Sequence, residues 1–187
     1  MSFKVKVGIS NRHIHLTEET YHLLFESDFE KIKDLTQTGE FATNKTVVIK
    51  GPKGELSKVR FLGPFRKYNQ VEVSVSDAHI LGVNPPIRKS GDLSNSETIE
   101  VIGDKGSVIL DNTCIIAQNH IHMNYDDLNT YGVSDNQKVL VHINGEREGI
   151  LVAHIKASEQ GVLDFHIDRD EANAFQLEND EELEVTL

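Results

Sequence analysis

Residues 138–157 read KVLVHINGEREGILVAHIKA. Val139, Val141 and Ile143 alternate with Lys138, Leu140 and His142, and Leu151, Ala153 and Ile155 alternate with Val152, His154 and Lys156 after the break. A period of two puts one set of side chains on a buried face and the other on a solvated face, the mark of a half-buried strand. The linker INGERE contains Asn-Gly, which adopts the positive backbone angles of a tight hairpin. Working outward, FKVKVGIS (3–10), TVVIKG (46–51), KVRFLG (58–63), QVEVSVS (70–76), ETIEVIG (97–103), SVILDN (107–112), VLDFHID (162–168) and ELEVTL (182–187) repeat the pattern. So many short strands separated by Gly, Asn, Asp and Pro predict a mainly β protein built as barrels or a sandwich.

Helices are expected to be few and short. Thr17 can cap the first, with Glu18, Glu19 and Thr20 in its opening turn. Ser76-Asp77-Ala78 starts a second that stops near Gly82, Asn124 starts a third that ends at Gly132, and Asp168 to Phe175 forms a fourth. There is also an internal echo. NRHIHLTEET and QNHIHMNYDD each follow a strand, present His-Ile-His, and lead into a capped, acidic-headed helix.

The 187 residues suffice for one domain or two small ones, and 38% hydrophobic with 26% charged residues excludes disorder as the default. No apolar run reaches the ~20 residues of a membrane-spanning helix, and the N-terminus lacks a signal-peptide pattern. A cytoplasmic location is expected, and the single cysteine, Cys114, fits it. Cys114 lies in the apolar run CIIA and reads as a buried hydrophobe rather than a nucleophile. The net charge of −11 disfavours nucleic acid, yet Arg60, Arg66, Lys67, Arg88 and Lys89 fall within thirty residues of one another. A local site for a small anion accounts for that cluster; solvated surface charge also accounts for it.

Nine histidines are unequal in weight. His13 and His15, and likewise His120 and His122, are two apart, so on a strand each pair shares a face at roughly 6.5–7 Å. Two such pairs can converge on metal, or can be turn residues satisfied by backbone carbonyls. His166 stands between Asp164 and Asp168, which can fix a ligand's tautomer from behind. His22 is expected to be packed, and His79, His142 and His154 to serve structure. Histidine with carboxylate suits zinc or another first-row divalent ion, and the absence of cysteine pairs excludes a structural zinc finger.

Between the histidine pairs, Gly63-Pro64 makes a turn that delivers Arg66 and Lys67, and arginine matches phosphate with a planar fork. Glu72, flanked by Val71 and Val73, is a ligand or a solvent-facing strand residue. In PPIRKSGDLSNS, Arg88, Ser90 and Gly91 offer a guanidinium, a hydroxyl and a backbone amide to phosphate groups. The same segment could be an exposed loop.

VGISNRHIHLT (7–17), LGPFRKYNQVEVSVSDAHILGVNPPIRKSGDL (62–93) and AQNHIHMN (117–124) together resemble the PduL-type phosphate propanoyltransferases, the phosphotransacylases of bacterial diol and fermentative metabolism. The resemblance covers nearly the whole chain. It implies exchange of an acyl group between coenzyme A and phosphate, with acyl-CoA such as propanoyl-CoA or acetyl-CoA as substrate. It implies two antiparallel β-barrel domains, residues 1–11 with 118–187 and residues 12–117, and an active site between them holding two zinc ions. Carried over by motif, the metal ligands are His13, His15, Glu72, His120, His122 and His166. Arg66 becomes the catalytic phosphate-binding residue, and Arg88, Ser90 and Gly91 handle phosphate or coenzyme A. Members packaged into microcompartments carry an amphipathic N-terminal extension; only a few residues precede the first strand here, so packaging is not expected. Neither nucleic acid nor membrane is an expected partner, and self-association is left open. A metal-dependent thioester hydrolase and a non-catalytic metal-binding barrel are the rival readings.

Overall fold

The computed structural model describes residues 2–187. The first half of the chain runs β1 (Ser2–Ser10), β2 (His13–His15), α1 (Glu18–Leu24), β3 (Lys31–Asp34), β4 (Phe41–Lys50), β5 (Glu55–Gly63), β6 (Gln70–Glu72), α2 (Val75–Leu81), β7 (Ile87–Arg88) and β8 (Glu97–Ile102). The second half runs β9 (Ser107–Ala117), β10 (His120–Met123), α3 (Tyr125–Tyr131), β11 (Lys138–Ile143), β12 (Gly149–Ala157), β13 (Asp164–Asp168), α4 (Arg169–Phe175) and β14 (Glu182–Thr186). Apart from the additional β3 and β7, the two halves share one order: a long strand, a His-x-His strand, a helix, two strands, a short strand, a helix and a last strand.

The strands close into two barrels. One follows the order β1-β13-β10-β12-β11-β14. The other follows β9-β6-β2-β5-β4-β8, with β8 pairing both β9 and β4 to shut the ring. Replacing every strand of the first ring by its counterpart in the other half produces the second ring. The echo between NRHIHLTEET and QNHIHMNYDD is therefore the visible part of a repeated topology. The long first strands are exchanged: β1 closes the barrel of the second half, and β9 closes that of the first. Accordingly the chain divides into one unit of Met1–Ser10, Thr36–Thr38 and Gln118–Leu187, and another of Asn11–Leu35 and Gly39–Ala117.

Both barrels are mainly antiparallel, but each ring includes two parallel pairings, β1 with β13 and β10 with β12 in one, β9 with β6 and β2 with β5 in the other. Parallel neighbours cannot be joined by a hairpin, and each of these pairs is separated in sequence by a helix or a longer excursion. The hairpin expected from KVLVHINGEREGILVAHIKA is β11–β12, with Val139 opposite Ala153 and Val141 opposite Leu151.

Alternation sorts the cores as anticipated. Phe3, Val5 and Val7 of β1 enter one core with Ile121, Val139, Val141, Phe165 and Val185. Ile14, Val47, Ile49, Val59, Phe61, Val71 and Val101 fill the other, with Cys114 among them. Around Phe61 the rings of Tyr21, Phe29 and Phe65 pack at centroid distances of 5.3 to 5.8 Å, and Phe25 packs on Tyr21 at 4.7 Å. The Tyr21 hydroxyl donates to the Ser27 carbonyl at 2.8 Å, so its one polar atom is satisfied.

The helices start at capping residues. Thr17, Ser74, Asn124 and Asp168 accept from the third helical amide, and the last three form capping boxes with Asp77, Asp127 and Glu171. The second helix begins earlier than Ser76. The alternation of QVEVSVS continues past Glu72, but the Ser74–Asp77 box outweighs it and turns the chain at Val75. Gly82 and Gly132 close α2 and α3 in the left-handed region, at φ 76° and 65°. Thr36–Thr38 belongs to the unit of β1, where Gln37 donates to the Val162 carbonyl at 2.9 Å and accepts its N–H at 3.1 Å. No helix among the described residues is long and apolar enough to cross a membrane.

Ile121, between the paired histidines of β10, is fully buried. Ile121→Ala should destabilise its barrel by about 2–5 kcal/mol, from lost burial and the cavity left behind. Denaturant titration of both proteins measures this as a lower midpoint.

Candidate functional site

Two groups of potential metal-binding side chains form, one in each unit. His13, His15 and Glu72 bring ligand atoms within 4.8 Å of one another, and so do His120, His122 and His166. All six residues expected as ligands thus fall into two trios. Backbone register produces both. β2 pairs antiparallel with β6 so that His13 stands opposite Glu72, and β10 pairs antiparallel with β13 so that His120 stands opposite His166. The second histidine of each pair follows on the same face.

The lead histidines are oriented alike. His13 Nδ1 lies 2.8 Å from the Asn11 carbonyl, and His120 Nδ1 lies 2.7 Å from the Gln118 carbonyl. A carbonyl only accepts, so Nδ1 carries a proton and Nε2 is the nitrogen turned toward the trio. That nitrogen faces Glu72 Oε2 at 3.5 Å in one trio and His122 Nε2 at 3.0 Å in the other. Tetrahedral zinc with bonds of 2.0–2.1 Å sets neighbouring ligand atoms about 3.3–3.4 Å apart, which these separations bracket.

Electrostatics favour a cation. His13, His15 and Glu72 are buried, as is His120. Burial holds His15 well below the usual histidine range, reinforced by the charges of His13 and Arg66, so it stays neutral and able to ligate. Burial also pushes His13 down, but the charge and hydrogen bond of Glu72 outweigh it and raise the group overall. In the all-histidine trio, Asp164 Oδ2 is buried without a hydrogen-bond partner and lies 2.7 Å from His166 Nε2. Such a charge beside three imidazoles fits a bound divalent ion. Gly8 stands opposite His166 in the ladder, where a Cβ would come within 2.6 Å of that oxygen and 2.7 Å of the His166 ring. Asp168, the other aspartate flanking His166 in sequence, caps α4.

The expected anion-binding residues lie in the barrel of the His13 trio. Arg66 follows the cis Gly63–Pro64 bond, and its backbone N–H donates to the Leu16 carbonyl at 2.9 Å. Its guanidinium reaches Glu40 at 2.8 Å, Ser90 Oγ at 3.4 Å and Tyr68 OH at 3.5 Å. Ser90 Oγ accepts from Gln70 Nε2 at 2.8 Å, and the same amide donates to Glu72 Oε1 at 2.5 Å. A continuous polar chain therefore runs from Arg66 to Glu72. The Gly91 amide, expected to face an anion, donates instead to Gln70 Oε1 at 2.7 Å. Arg88 donates to the Ser94 and Ile87 carbonyls, both at 3.0 Å, and so braces its own loop.

Of the remaining histidines, His22 is exposed on α1 and not packed inward, because its helix buries Tyr21 and Leu24 instead. His79 is also exposed, His142 pairs with Thr186 Oγ1 at 2.7 Å, and His154 stands beside His120 in the ladder. A cleft of about 470 Å³ lined by Lys53, His79, Asn84 and Glu97 includes none of the trio residues. Glu40 and Gln70 escaped sequence reasoning. Gln70 was findable, since a polar residue two before Glu72 on a strand shares its face; nothing in the sequence marked Glu40.

Residues 6–178 match the sequence profile of phosphate propanoyltransferase. The chain belongs to the phosphate propanoyltransferase family. It is thereby an acyltransferase. Its relatives include the phosphate propanoyltransferases of Rhodopseudomonas palustris (strain BisB18), 44% identical over 96% of this chain and 80% of the relative, and of Rhodobacter capsulatus, 42% identical over 94% and 83%. That of Thermotoga maritima is 46% identical over 75% of this chain and 69% of its own.

Cys114 is no nucleophile in this family member. Burial, with the nearby charges of Glu97 and Asp77, pushes its thiol up to about 12. A disulfide reagent at pH 8 should leave the native thiol untouched and titrate one thiol per chain after denaturation.

Proposed function

We propose that this phosphate propanoyltransferase-family enzyme exchanges a short acyl group, propanoyl or acetyl, between coenzyme A and phosphate, using two zinc ions. One ion is held by His13, His15 and Glu72, and its dinuclear partner by His120, His122 and His166. The observation that carries the reading is the polar chain linking Arg66, through Ser90 and Gln70, to Glu72. It joins an anion-binding guanidinium to a metal-ligating carboxylate within one barrel.

Phosphate is well hydrated and a poor nucleophile, so it must be stripped of water and aimed. Arg66 does this with a two-pronged donor, assisted by the Ser90 hydroxyl and Tyr68. Glu40 already occupies one prong at 2.8 Å, so incoming phosphate exchanges with that carboxylate. A phosphate oxygen then bonds to the thioester carbonyl carbon as the carbon–sulfur bond breaks, and the sulfur leaves as thiolate. Bound zinc supplies positive charge against the oxygen and sulfur charges that develop. Thiolate is a good enough leaving group to depart without a strong general acid.

Thiol release from propanoyl-CoA and acetyl-CoA should require both phosphate and zinc, and should stop on chelation and resume on zinc restoration. Release that needs metal but not phosphate would identify a thioester hydrolase instead. Arg66→Ala is expected to lower kcat/KM for phosphate by roughly 10²-fold or more while leaving bound zinc unchanged. Loss of zinc along with activity would show that Arg66 supports the fold.

Glu40→Gln removes the competing charge. It should lower the KM for phosphate by roughly 2- to 10-fold, the range of a partly exposed ion pair. A higher KM would mean that Glu40 orients Arg66 for phosphate.

A further inference from the structure

Gln70 is fully buried, and every polar atom of its amide is engaged. Its acceptor is fixed by the Gly91 N–H at 2.7 Å, because a backbone amide can only donate. Nε2 must therefore face the Ser90 hydroxyl at 2.8 Å and Glu72 Oε1 at 2.5 Å. Glu72 is left with Oε2 directed at His13 Nε2, 3.5 Å away. Gly91 has φ 97°, and a Cβ there would lie 3.1 Å from the Tyr68 hydroxyl, so the loop approaches closely at the point where Gln70 grips it.

The second barrel has a counterpart. Gln70 stands two residues before Glu72 and opposite His15; Asp164 stands two residues before His166 and opposite His122. Both are buried, and both touch the third side chain of their trio. The same ladder position thus carries a polar group aimed at the trio in each half of the repeat.

We propose that Gln70 is a positioning residue that makes Glu72 ligate through one oxygen, Oε2, and couples that carboxylate to the Ser90–Gly91 substrate loop. This rests on the zinc and phosphate reading above. Removing the amide affects two groups at once: Glu72 Oε1 loses the Gln70 donor, and the Gly91 amide loses its acceptor. The two effects separate in a carboxylate variant, which still accepts from Gly91 but cannot donate to Glu72.

The test uses zinc-loaded full-length wild type, Gln70→Leu and Gln70→Glu. Zinc per chain is counted by elemental analysis after dialysis against a fixed chelator concentration, and thiol release gives kcat and the KM for propanoyl-CoA. Gln70→Leu should fall from two zinc ions toward one, lose roughly 10- to 100-fold in kcat, and show a raised KM. Gln70→Glu should lose kcat by roughly 10-fold or more while keeping KM near wild type. Wild-type zinc content and kcat in Gln70→Leu, or a lowered melting temperature as its only change, overturns the inference. Equal KM changes in both variants overturn the coupling to the loop. A wild type that binds no zinc overturns the metal reading itself, and this inference with it.

Discussion

Each of the four strands that carry the two trios reaches a helix cap two residues after its last trio side chain. His15, Glu72, His122 and His166 are followed, two positions on, by Thr17, Ser74, Asn124 and Asp168, the four helix caps. A strand alone would let these side chains slide with the register, and a one-residue slip would turn them to the opposite face. The cap prevents this, because its side chain must find the third amide of the helix and so pins where the strand ends. The intervening residues Leu16, Val73, Met123 and Ile167 are buried and lock the other face. Candidate ligand, core residue and cap in succession are thus one device, used four times.

On the two-zinc reading proposed above, the repeat accounts for two unlike trios suited to similar ions. In one barrel the third ligand is a carboxylate, Glu72, and the polar residue two before it is an amide, Gln70. In the other the ligand is an imidazole, His166, and the preceding residue is a carboxylate, Asp164. Each trio with its neighbour therefore contains two or three histidines and a single carboxylate. One negative charge offsets part of a divalent ion's charge and leaves the remainder to act on substrate, whereas two would blunt it. The exchange of carboxylate and neutral group between the two ladder positions preserves that balance while changing which group faces the ion.

Much of this was legible from residue pattern. Period-two alternation located the barrel strands, and Thr17, Gly82, Asn124 and Gly132 marked helix ends, because both signals are local. Two His-x-His pairs on strands announced one face each. What alternation could not show was partnership. Nothing local says that β1 closes a barrel with strands from the far end of the chain, or that Gly8 must lack a side chain because His166 and Asp164 occupy the space opposite it. The early start of α2 was misread for a related reason: QVEVSVS satisfies a strand pattern, and only the reciprocal Ser74–Asp77 hydrogen bonds decide against it.

At the Arg88–Gly91 loop, residue chemistry alone does not show which donors the protein itself already uses. A guanidinium, a hydroxyl and a glycine amide in succession suit a phosphate, yet all three are engaged with the protein. The Arg88 guanidinium braces backbone carbonyls, and the Gly91 amide is held by Gln70. Only the Ser90 hydroxyl points toward Arg66. A donor already paired inside the protein must give up that pairing to serve an anion, and where the pairing is buried the acceptor left behind costs about 1–3 kcal/mol. On the reading proposed above the anion is taken by Arg66, whose partner Glu40 is itself a partly exposed charge. That contact is weak enough to exchange and strong enough to hold the guanidinium in place beforehand.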